Sequence, residues 1–304
     1  MLPHRKTIQT QPLALWVAVV CMLLMSASVS AEDKPVVYTV NYPLYYFAER
    51  IAGDLVEVVL PVPASIDPAF WQPDSAAVSA FQQADIILLN GAGYAKWLSR
   101  VSLPARKLVD TSAAFRERYI HADAGVTHSH GREGDHSHSG VAFTTWLDFT
   151  LAAEQARAIA VALSKIRPAS KNVFARNLAL LEQELLALDS QVHELVATKP
   201  GISLLASHPV YQYFQRRYGL NITSVMWEPD VVPGAVQWSE LKQQLEVRSS
   251  NWMVWEGRPE PETVARLKST GVASLVFDPC GNRPVDGDFL GVMQQNLQNL
   301  KQAY

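Results

Sequence analysis

Histidine side chains are concentrated in one short stretch of this 304-residue chain. Five of the eight histidines fall within eighteen residues, at His121, His128, His130, His136 and His138. In an extended segment, side chains two positions apart share a face, so each His-Ser-His triplet can present two imidazoles to one ion. Neutral imidazole binds zinc, copper and nickel. This composition favours a metal-binding segment over a solvated loop whose histidines bind nothing. Because ordering a loop costs backbone entropy, the segment is expected to capture or transfer the metal ion rather than to hold it in a rigid cage.

A second group of possible ligands follows four predicted strands in the C-terminal part of the chain. These residues are His208, Glu228, Glu256 and Asp278. Because the carboxyl ends of parallel strands meet at one edge of a sheet, we expect these side chains to face the same region. On residue type and position alone, His208 can be a ligand or a structural histidine, and Asp278 can be a ligand or a turn residue. The two glutamates are predicted to orient His208.

The segments that carry these residues alternate between strand and helix patterns. Residues 35–62 predict a strand, a helix and a strand, and residues 84–91 predict an apolar strand typical of a buried parallel sheet. The same alternation returns in residues 201–278. Between the two halves, residues 169–198 predict a single helix of roughly 45 Å. The sequence therefore predicts an α/β fold with two Rossmann-like lobes, each a mostly parallel sheet with flanking helices, joined by one long helix.

The N-terminus has the pattern of an export signal. Three basic residues at positions 4–6 precede an apolar run of about 13 residues, which is shorter than the ~20 that a membrane-spanning helix needs. Small residues at positions 28–31 predict cleavage before Glu32 and a periplasmic location. The predicted organisation is then a signal peptide at 1–31, an N-terminal lobe at 32–150 with an exposed His-rich loop at 121–140, a helical connector at 151–198, and a C-terminal lobe at 199–304.

Charge and composition exclude several classes of protein. The chain has 48% hydrophobic and 18% charged residues, as in a folded globular protein, and a formal net charge of −3. No basic cluster follows residue 6, which argues against nucleic-acid binding. No nucleophile, zinc-hydrolase or phosphate-loop motif is present, so catalysis is not expected. Cys280 is the only cysteine after the predicted cleavage, and it is interpreted as a buried, unreactive side chain, with a metal ligand as the alternative.

Several motifs, taken together and in order, resemble those of the periplasmic solute-binding proteins of zinc and manganese ABC importers. They are Asp67-Pro68-Ala69-Phe70-Trp71-Gln72-Pro73, the strand ADIILLNG, the His-rich loop, Thr145-Trp146-Leu147-Asp148, the long helix, Ser207-His208-Pro209, and Phe277-Asp278-Pro279. The similarity covers essentially the whole chain after the signal. It implies two lobes with a metal site in the cleft between them, and delivery of the ion to a membrane permease.

Two positions depart from the pattern of this family. The family places a ligand histidine directly after Asp-Pro, where this chain has Ala69, and another two residues before the tryptophan, where this chain has Thr144. The resemblance therefore implies that this chain keeps His208 and Asp278 as ligands from the C-terminal lobe and lacks the two ligands that the N-terminal lobe supplies in the family.

The missing ligands are predicted to come from the His-rich loop, which precedes Thr144 by only a few residues. The expected metal ligands are His208, Asp278, His128, His130, His136 and His138. Zinc is favoured as cargo over manganese because the donors are mostly imidazoles, with copper or nickel less favoured. The expected protein is a monomer that serves an ABC importer permease. The alternative is an accessory or non-metal solute-binding protein of the same fold.

Overall fold

The first half of the chain forms a parallel sheet in the computed structural model, which describes residues 34–122, 127–130, 134–137 and 140–304. Its strands are β1 (Val36–Thr39), β2 (Glu57–Val59), β3 (Ile86–Leu89) and β4 (Leu108–Asp110). They lie side by side in the order β2-β1-β3-β4. Helix α1 (Tyr42–Ala52) connects the first two strands, and helix α2 (Ser75–Gln83) precedes the third. We call this sheet with its helices and loops the N-terminal lobe.

Local sequence signals explain where helix α1 begins and ends. The side chain of Asn41 accepts a hydrogen bond from the backbone N–H of Leu44, and Pro43 occupies the first turn, where no backbone donor is needed. The helix ends at Gly53, whose φ of 54° lies in the left-handed region that glycine tolerates. Its apolar face lies in the core, so this βαβ unit forms as the sequence predicts.

The His-rich segment is paired where its backbone is described. Strands β5 (His121–Ala122) and β8 (Gly140–Val141) pair antiparallel, and β6 (Thr127–His130) pairs antiparallel with β7 (Gly134–Ser137). The backbone register places His128 opposite His136. Part of the segment that was predicted to be an exposed loop therefore forms two short antiparallel ladders. His138 lies outside the described residues.

Two consecutive helices connect the halves of the chain. Helix α3 (Phe149–Ile166) begins at Asp148, whose carboxylate accepts backbone hydrogen bonds from the first turn. After a short turn at Pro168–Ser170, helix α4 (Lys171–Ala197) runs for 27 residues, which is roughly 40 Å. It packs against α3 and α1. The predicted long helix is present, with slightly narrower bounds.

The second half of the chain forms another parallel sheet, the basis of the C-terminal lobe. Its strands are β9 (Ser203–Ala206), β10 (Asn221–Ser224), β11 (Trp252–Trp255) and β12 (Ala273–Val276), in the order β10-β9-β11-β12. Its helices are α5 (Gln212–Tyr218), α6 (Ala235–Val247), α7 (Pro261–Ser269) and α8 (Phe289–Leu300). Helix α8, which the sequence analysis did not predict, packs on β12 and on the long helix α4.

The predicted two-lobed α/β architecture is confirmed. One large hydrophobic core takes side chains from both sheets and from α4, so residues 35–304 form a single compact unit. Residues 1–33, with the predicted signal peptide, lie outside the described residues. Within the described chain, no helix combines the length and the apolar character needed to cross a membrane.

A partly buried ion pair joins the long helix to the C-terminal lobe. Asp189 of α4 accepts hydrogen bonds from the guanidinium of Arg217, at 2.8 and 2.6 Å, and from the hydroxyl of Tyr218 at 3.0 Å. Burial by itself would raise the pKa of Asp189, but these hydrogen bonds and the Arg217 charge hold that pKa below its usual value. The pair therefore stabilises the fold when the carboxylate is ionised.

We expect Asp189→Asn to lower the free energy of unfolding at neutral pH by about 2 kcal/mol, the value of hydrogen bonds to a charged group. A carboxylate with a lowered native pKa adds stability above its ordinary pKa and loses it as the pH falls through the native pKa. The difference between the two proteins should therefore shrink below about pH 4. Urea unfolding across this pH range measures it, and Asp286→Asn, at an exposed carboxylate, is the control. A difference that does not change with pH would contradict the assignment to this ion pair.

Candidate metal site

The strand order of the C-terminal lobe brings three loops together. Strand β9 lies between β10 and β11, and all of these strands run parallel, so their carboxyl ends lie at one edge of the sheet. His208 follows β9, Glu228 follows β10 and Glu256 follows β11. In a parallel α/β sheet, ligands bind at this edge.

Ser207 holds these loops at fixed distances from one another. Its backbone N–H donates to the carbonyl of Val254 at 2.8 Å, and its carbonyl accepts from the backbone of Trp227 at 2.9 Å. Its side-chain hydroxyl accepts from the backbone N–H of Glu256 at 3.3 Å. Ser207 is completely buried. One residue therefore sets the spacing of the loops that carry His208 and the two glutamates.

The side chains of His208, Glu228 and Glu256 form a compact group of possible metal ligands. The Nδ1 atom of His208 lies 2.6 Å from Oε1 of Glu256, and its Nε2 atom lies 3.4 Å from Oε1 of Glu228. The ligand atoms of the three residues lie within 4.8 Å of one another. Among the described residues, these three are the His, Cys, Asp or Glu side chains that lie close enough together to share one ion. One imidazole and two carboxylates are donors that zinc accepts.

The electrostatic environment of His208 is strongly negative. The residue is 2% exposed, and burial alone would lower the pKa of the imidazole. The contact with Glu256, followed by the charges of Glu228 and Asp67, outweighs burial and raises that pKa above its usual value. The site thus attracts positive charge, whether a proton on the imidazole or a metal ion in its place.

Asp278 lies in the same cleft but outside this compact group. Its backbone N–H donates to Oδ1 of Asn296 at 2.9 Å, and its carbonyl accepts from Nδ2 of Asn296 at 2.7 Å, so helix α8 fixes its position. Burial raises the pKa of the carboxyl, and the charge of Glu256 adds to the effect, although a hydrogen bond from the backbone of Cys280 opposes it. Both Asp278 and Glu256 line the same cavity.

The cleft between the lobes encloses a cavity of about 560 Å³. His208, both glutamates, Asp278 and Asp230 line it from the C-terminal lobe. From the N-terminal lobe, Asp67 and a group of apolar and aromatic side chains line it; they include Ile66, Phe70, Tyr94, Phe143 and Trp146.

The two departures from the family pattern have definite structural roles. Thr144 lines the cavity, but its hydroxyl donates to the carbonyl of Val210 in the C-terminal lobe at 2.5 Å. Ala69 is 1% exposed, and its backbone N–H donates to Oδ1 of Asp67 at 2.8 Å. Thr144 therefore contributes a contact between the lobes, and Ala69 contributes a tight turn. Neither position supplies an imidazole.

Cys280 is buried and held in an unusual backbone conformation. Its φ of 58° is in the left-handed region, and its thiol contacts the carbonyl of Asn282 at 3.9 Å. Burial raises the pKa of the thiol far above its usual range, and the charges of Asp278 and Asp288 add to this effect. Among the described residues, Cys280 is not part of the group of side chains close enough to share one ion.

The structure brings two of the predicted ligands together. His208 and Asp278 lie in one cleft, as the strand ends indicate. For His128, His130 and His136 only the backbone is described, and His121 is exposed on β5. Sequence reasoning assigned Glu228 and Glu256 an orienting role. The 2.6 Å contact of Glu256 with Nδ1 of His208 fits that role, and the ligand atoms of all three residues also lie within 4.8 Å of one another. Sequence reasoning also overlooked Asp67, although the Asp-Pro turn at the family's ligand position marks that residue.

Comparisons with known proteins identify a matching family and relatives that align with most of this chain. The family described as "Zinc-uptake complex component A periplasmic" matches residues 37–303. The zinc-binding lipoprotein AdcA of Streptococcus pneumoniae is 26% identical over 312 residues, covering 96% of this chain and 60% of that protein. The high-affinity zinc uptake system protein ZnuA of Bacillus subtilis is 24% identical over 314 residues, covering 95% and 96% of the two chains. The chain thus spans about 60% of the length of the AdcA protein that it matches.

Solved structures share the fold. The Zn(II)-bound AdcA of Streptococcus pneumoniae superposes with a TM-score of 0.73 at 22% identity, over 89% of this chain and 57% of that chain. The metal-dependent lipoprotein YcdH of Bacillus subtilis superposes with a TM-score of 0.76 at 20% identity, over 89% and 99% of the two chains. At these identities the likeness establishes the architecture of two lobes around a cleft.

Proposed function

The chain belongs to the family of zinc-uptake complex component A, periplasmic, and from this membership we propose that it binds zinc and delivers it to the permease of an ABC importer. It does so as a monomer in the periplasm, after removal of residues 1–31, and it binds its cargo without catalysing a reaction. The observation that carries the proposal is the group of His208, Glu228 and Glu256 in the interlobe cleft. Relatives named for zinc binding and zinc uptake support the choice of ion.

The cleft supplies several donors for the ion. His208 provides the imidazole, the two glutamates provide carboxylate oxygens, and Asp278 provides a further carboxylate on the same wall. An oxygen-rich set also suits manganese, but a buried imidazole and the general order of metal affinities both favour zinc. Copper and nickel bind imidazole as well, so competition among metals is part of the test.

The His-rich segment has a separate part in the proposal. Its histidines His128, His130, His136 and His138 capture zinc and supply exchangeable imidazoles to the ion in the cleft. Two observations support this: the backbone ladder that pairs His128 with His136, and the attachment of the segment next to the cleft residue Thr144. Because ordering donors around an ion costs conformational entropy, exchangeable imidazoles release the ion to the permease more easily than a closed cage does.

Zinc titration of the tag-free protein tests the function. After removal of metal with a chelator, we expect one high-affinity zinc per chain, tighter than manganese, with copper and nickel as competitors. Elemental analysis of protein purified without an affinity tag measures the natural content, and competition with a chromogenic chelator measures the affinity. Zinc binding no tighter than that of a free His-containing peptide would favour the alternative, an accessory or non-metal solute-binding protein.

A further inference from the structure

One segment of the C-terminal lobe is bound to the N-terminal lobe beside the cavity. We call residues 279–283 the crossing segment. The carbonyl of Pro279 accepts a hydrogen bond from the indole N–H of Trp146 at 2.7 Å. The carbonyl of Gly281 accepts from the backbone N–H of Tyr42 at 2.9 Å. The crossing segment therefore ties the two walls of the cavity together.

Asn282 of the crossing segment binds a turn of the N-terminal lobe with its side chain. Its Nδ2 atom donates to the carbonyls of Pro63 and Ile66, at 2.7 and 2.8 Å. A hydrogen bond from the backbone N–H of Ile66 to the carbonyl of Pro63, at 3.1 Å, closes the same turn. Asp67 is the next residue along the chain. One amide from the C-terminal lobe thus fixes the turn that leads into Asp67.

Asp67 is the charged side chain that the N-terminal lobe presents to the cavity. The carbonyl of Asp67 accepts hydrogen bonds from the backbone N–H groups of Phe70 and Trp71, both at 3.0 Å, so its backbone is held from this side as well. Among the described residues of the N-terminal lobe that line the cavity, Asp67 is the carboxylate. Its position in the cleft therefore depends on a turn that Asn282 holds.

The position of Asp67 matters because the ligand group belongs to the other lobe. His208, Glu228 and Glu256 all lie on the C-terminal wall. An ion held by them is attracted by a carboxylate on the opposite wall with an energy that falls as the distance grows. A carboxylate on a mobile turn would also have to be ordered when the ion binds, which costs entropy. A turn that is fixed in advance avoids this cost.

We propose that Asn282 is a positioning residue of the metal site, and that it acts by holding Asp67 on the opposite wall of the cleft. The inference rests on the proposed function and adds to it a residue that does not itself bind the ion. Through this amide, the C-terminal lobe sets the place of a carboxylate of the N-terminal lobe, so the two lobes act on the ion as one site.

A double-mutant cycle on zinc affinity tests the proposal. The original protein, Asn282→Ala, Asp67→Asn and the double variant are freed of metal and titrated with zinc against a chromogenic chelator. Asp67→Asn removes the charge and keeps an oxygen that accepts hydrogen bonds, and we expect it to weaken zinc binding about tenfold. Asn282→Ala should weaken it about fivefold, and should change nothing further when Asp67→Asn is already present.

Arg283→Met is the matched control in the same segment. The Nη1 atom of Arg283 donates to the carbonyl of Leu60 at 2.9 Å, and the guanidinium lies over the ring of Tyr45. Arg283 therefore also joins the lobes, but through groups other than the turn before Asp67. We expect both Arg283→Met and Asn282→Ala to lower the melting temperature, whereas only Asn282→Ala weakens zinc binding. Titration in about 0.15 M salt screens the distant charge that Arg283→Met removes.

A second variant guards against a folding defect. Asn282→Leu keeps the approximate size of the side chain and lacks the amide donor, so it should reproduce the loss of zinc affinity seen in Asn282→Ala. The thermal unfolding curve of each metal-free variant shows whether it folds before it is titrated.

The contrary results have separate meanings. If the original protein binds no zinc, the proposed function itself fails. If it binds zinc but Asp67→Asn or the Asn282 variants leave the affinity unchanged, the inference is overturned and the proposed function stands. The inference is also overturned if Asn282→Ala costs as much affinity with Asp67→Asn as without it, or if Arg283→Met costs as much as Asn282→Ala. In those cases the crossing segment acts through lobe packing and not through Asp67.

Discussion

Replacing His208 by alanine is expected to weaken zinc binding by about 100-fold or more, because loss of a ligand exceeds the roughly 10- to 100-fold effect of losing a group that only supports one. His208 supplies the imidazole of the ligand group, and its contacts with Glu228 and Glu256 tie the group together. Competition titration at neutral pH measures the change. His193→Ala, at a half-exposed histidine of α4, is the matched control and should leave the affinity unchanged.

The His-rich segment provides the companion experiment. The backbone N–H of Ala142 donates to the carbonyl of Ile120 at 2.8 Å, so the ends left by deleting residues 121–140 lie close together and a short Gly-Ser linker can join them. We expect the deletion to weaken zinc binding about tenfold, and to be non-additive with His208→Ala because both act on one ion. If the deletion changes nothing while His208→Ala abolishes binding, the segment donates no ligand and the cleft group alone holds the ion.

Hydrophobic periodicity made most of the fold predictable. The apolar runs of β3 and β9 and the long amphipathic pattern of α4 each correspond to one element of the structure. Helix α8 was missed, although Asp288 caps it and its buried residues recur every three or four positions. It follows β12 and so continues the strand–helix alternation, but its packing partners include the distant helix α4, which only the tertiary structure shows.

The sequence predicted where the site lies, but only some of the residues that form it. The ends of parallel strands mark where His208 and Asp278 lie, and that follows from strand order. The separation between His208 and the two glutamates depends on the three contacts of Ser207, a residue whose type carries no metal signal. The contribution of Asp67 depends on how the lobes face each other, which no local pattern encodes.

The second large effect is expected from the two glutamates. We expect Glu228→Gln and Glu256→Gln each to weaken zinc binding by about tenfold, and the double variant to lose less than the product of the two effects because both carboxylates act on one ion. A glutamine keeps the size of the side chain and a carbonyl oxygen that can accept a hydrogen bond from His208. It loses the negative charge that makes a carboxylate a strong ligand. Competition titration of the three variants measures these changes.

This substitution distinguishes coordination from orientation. If Glu256 only orients His208 through its contact with Nδ1, the Glu256→Gln variant retains that role and the affinity changes little, whereas a ligand role predicts the full loss. Asp230→Asn is the control for charge, because Asp230 lines the cavity outside the ligand group. A loss in Asp230→Asn as large as that in Glu256→Gln would mean that the field of the cleft, and not direct bonds from the glutamates, holds the ion. Such a field effect would also fall steeply with added salt, while direct coordination would persist.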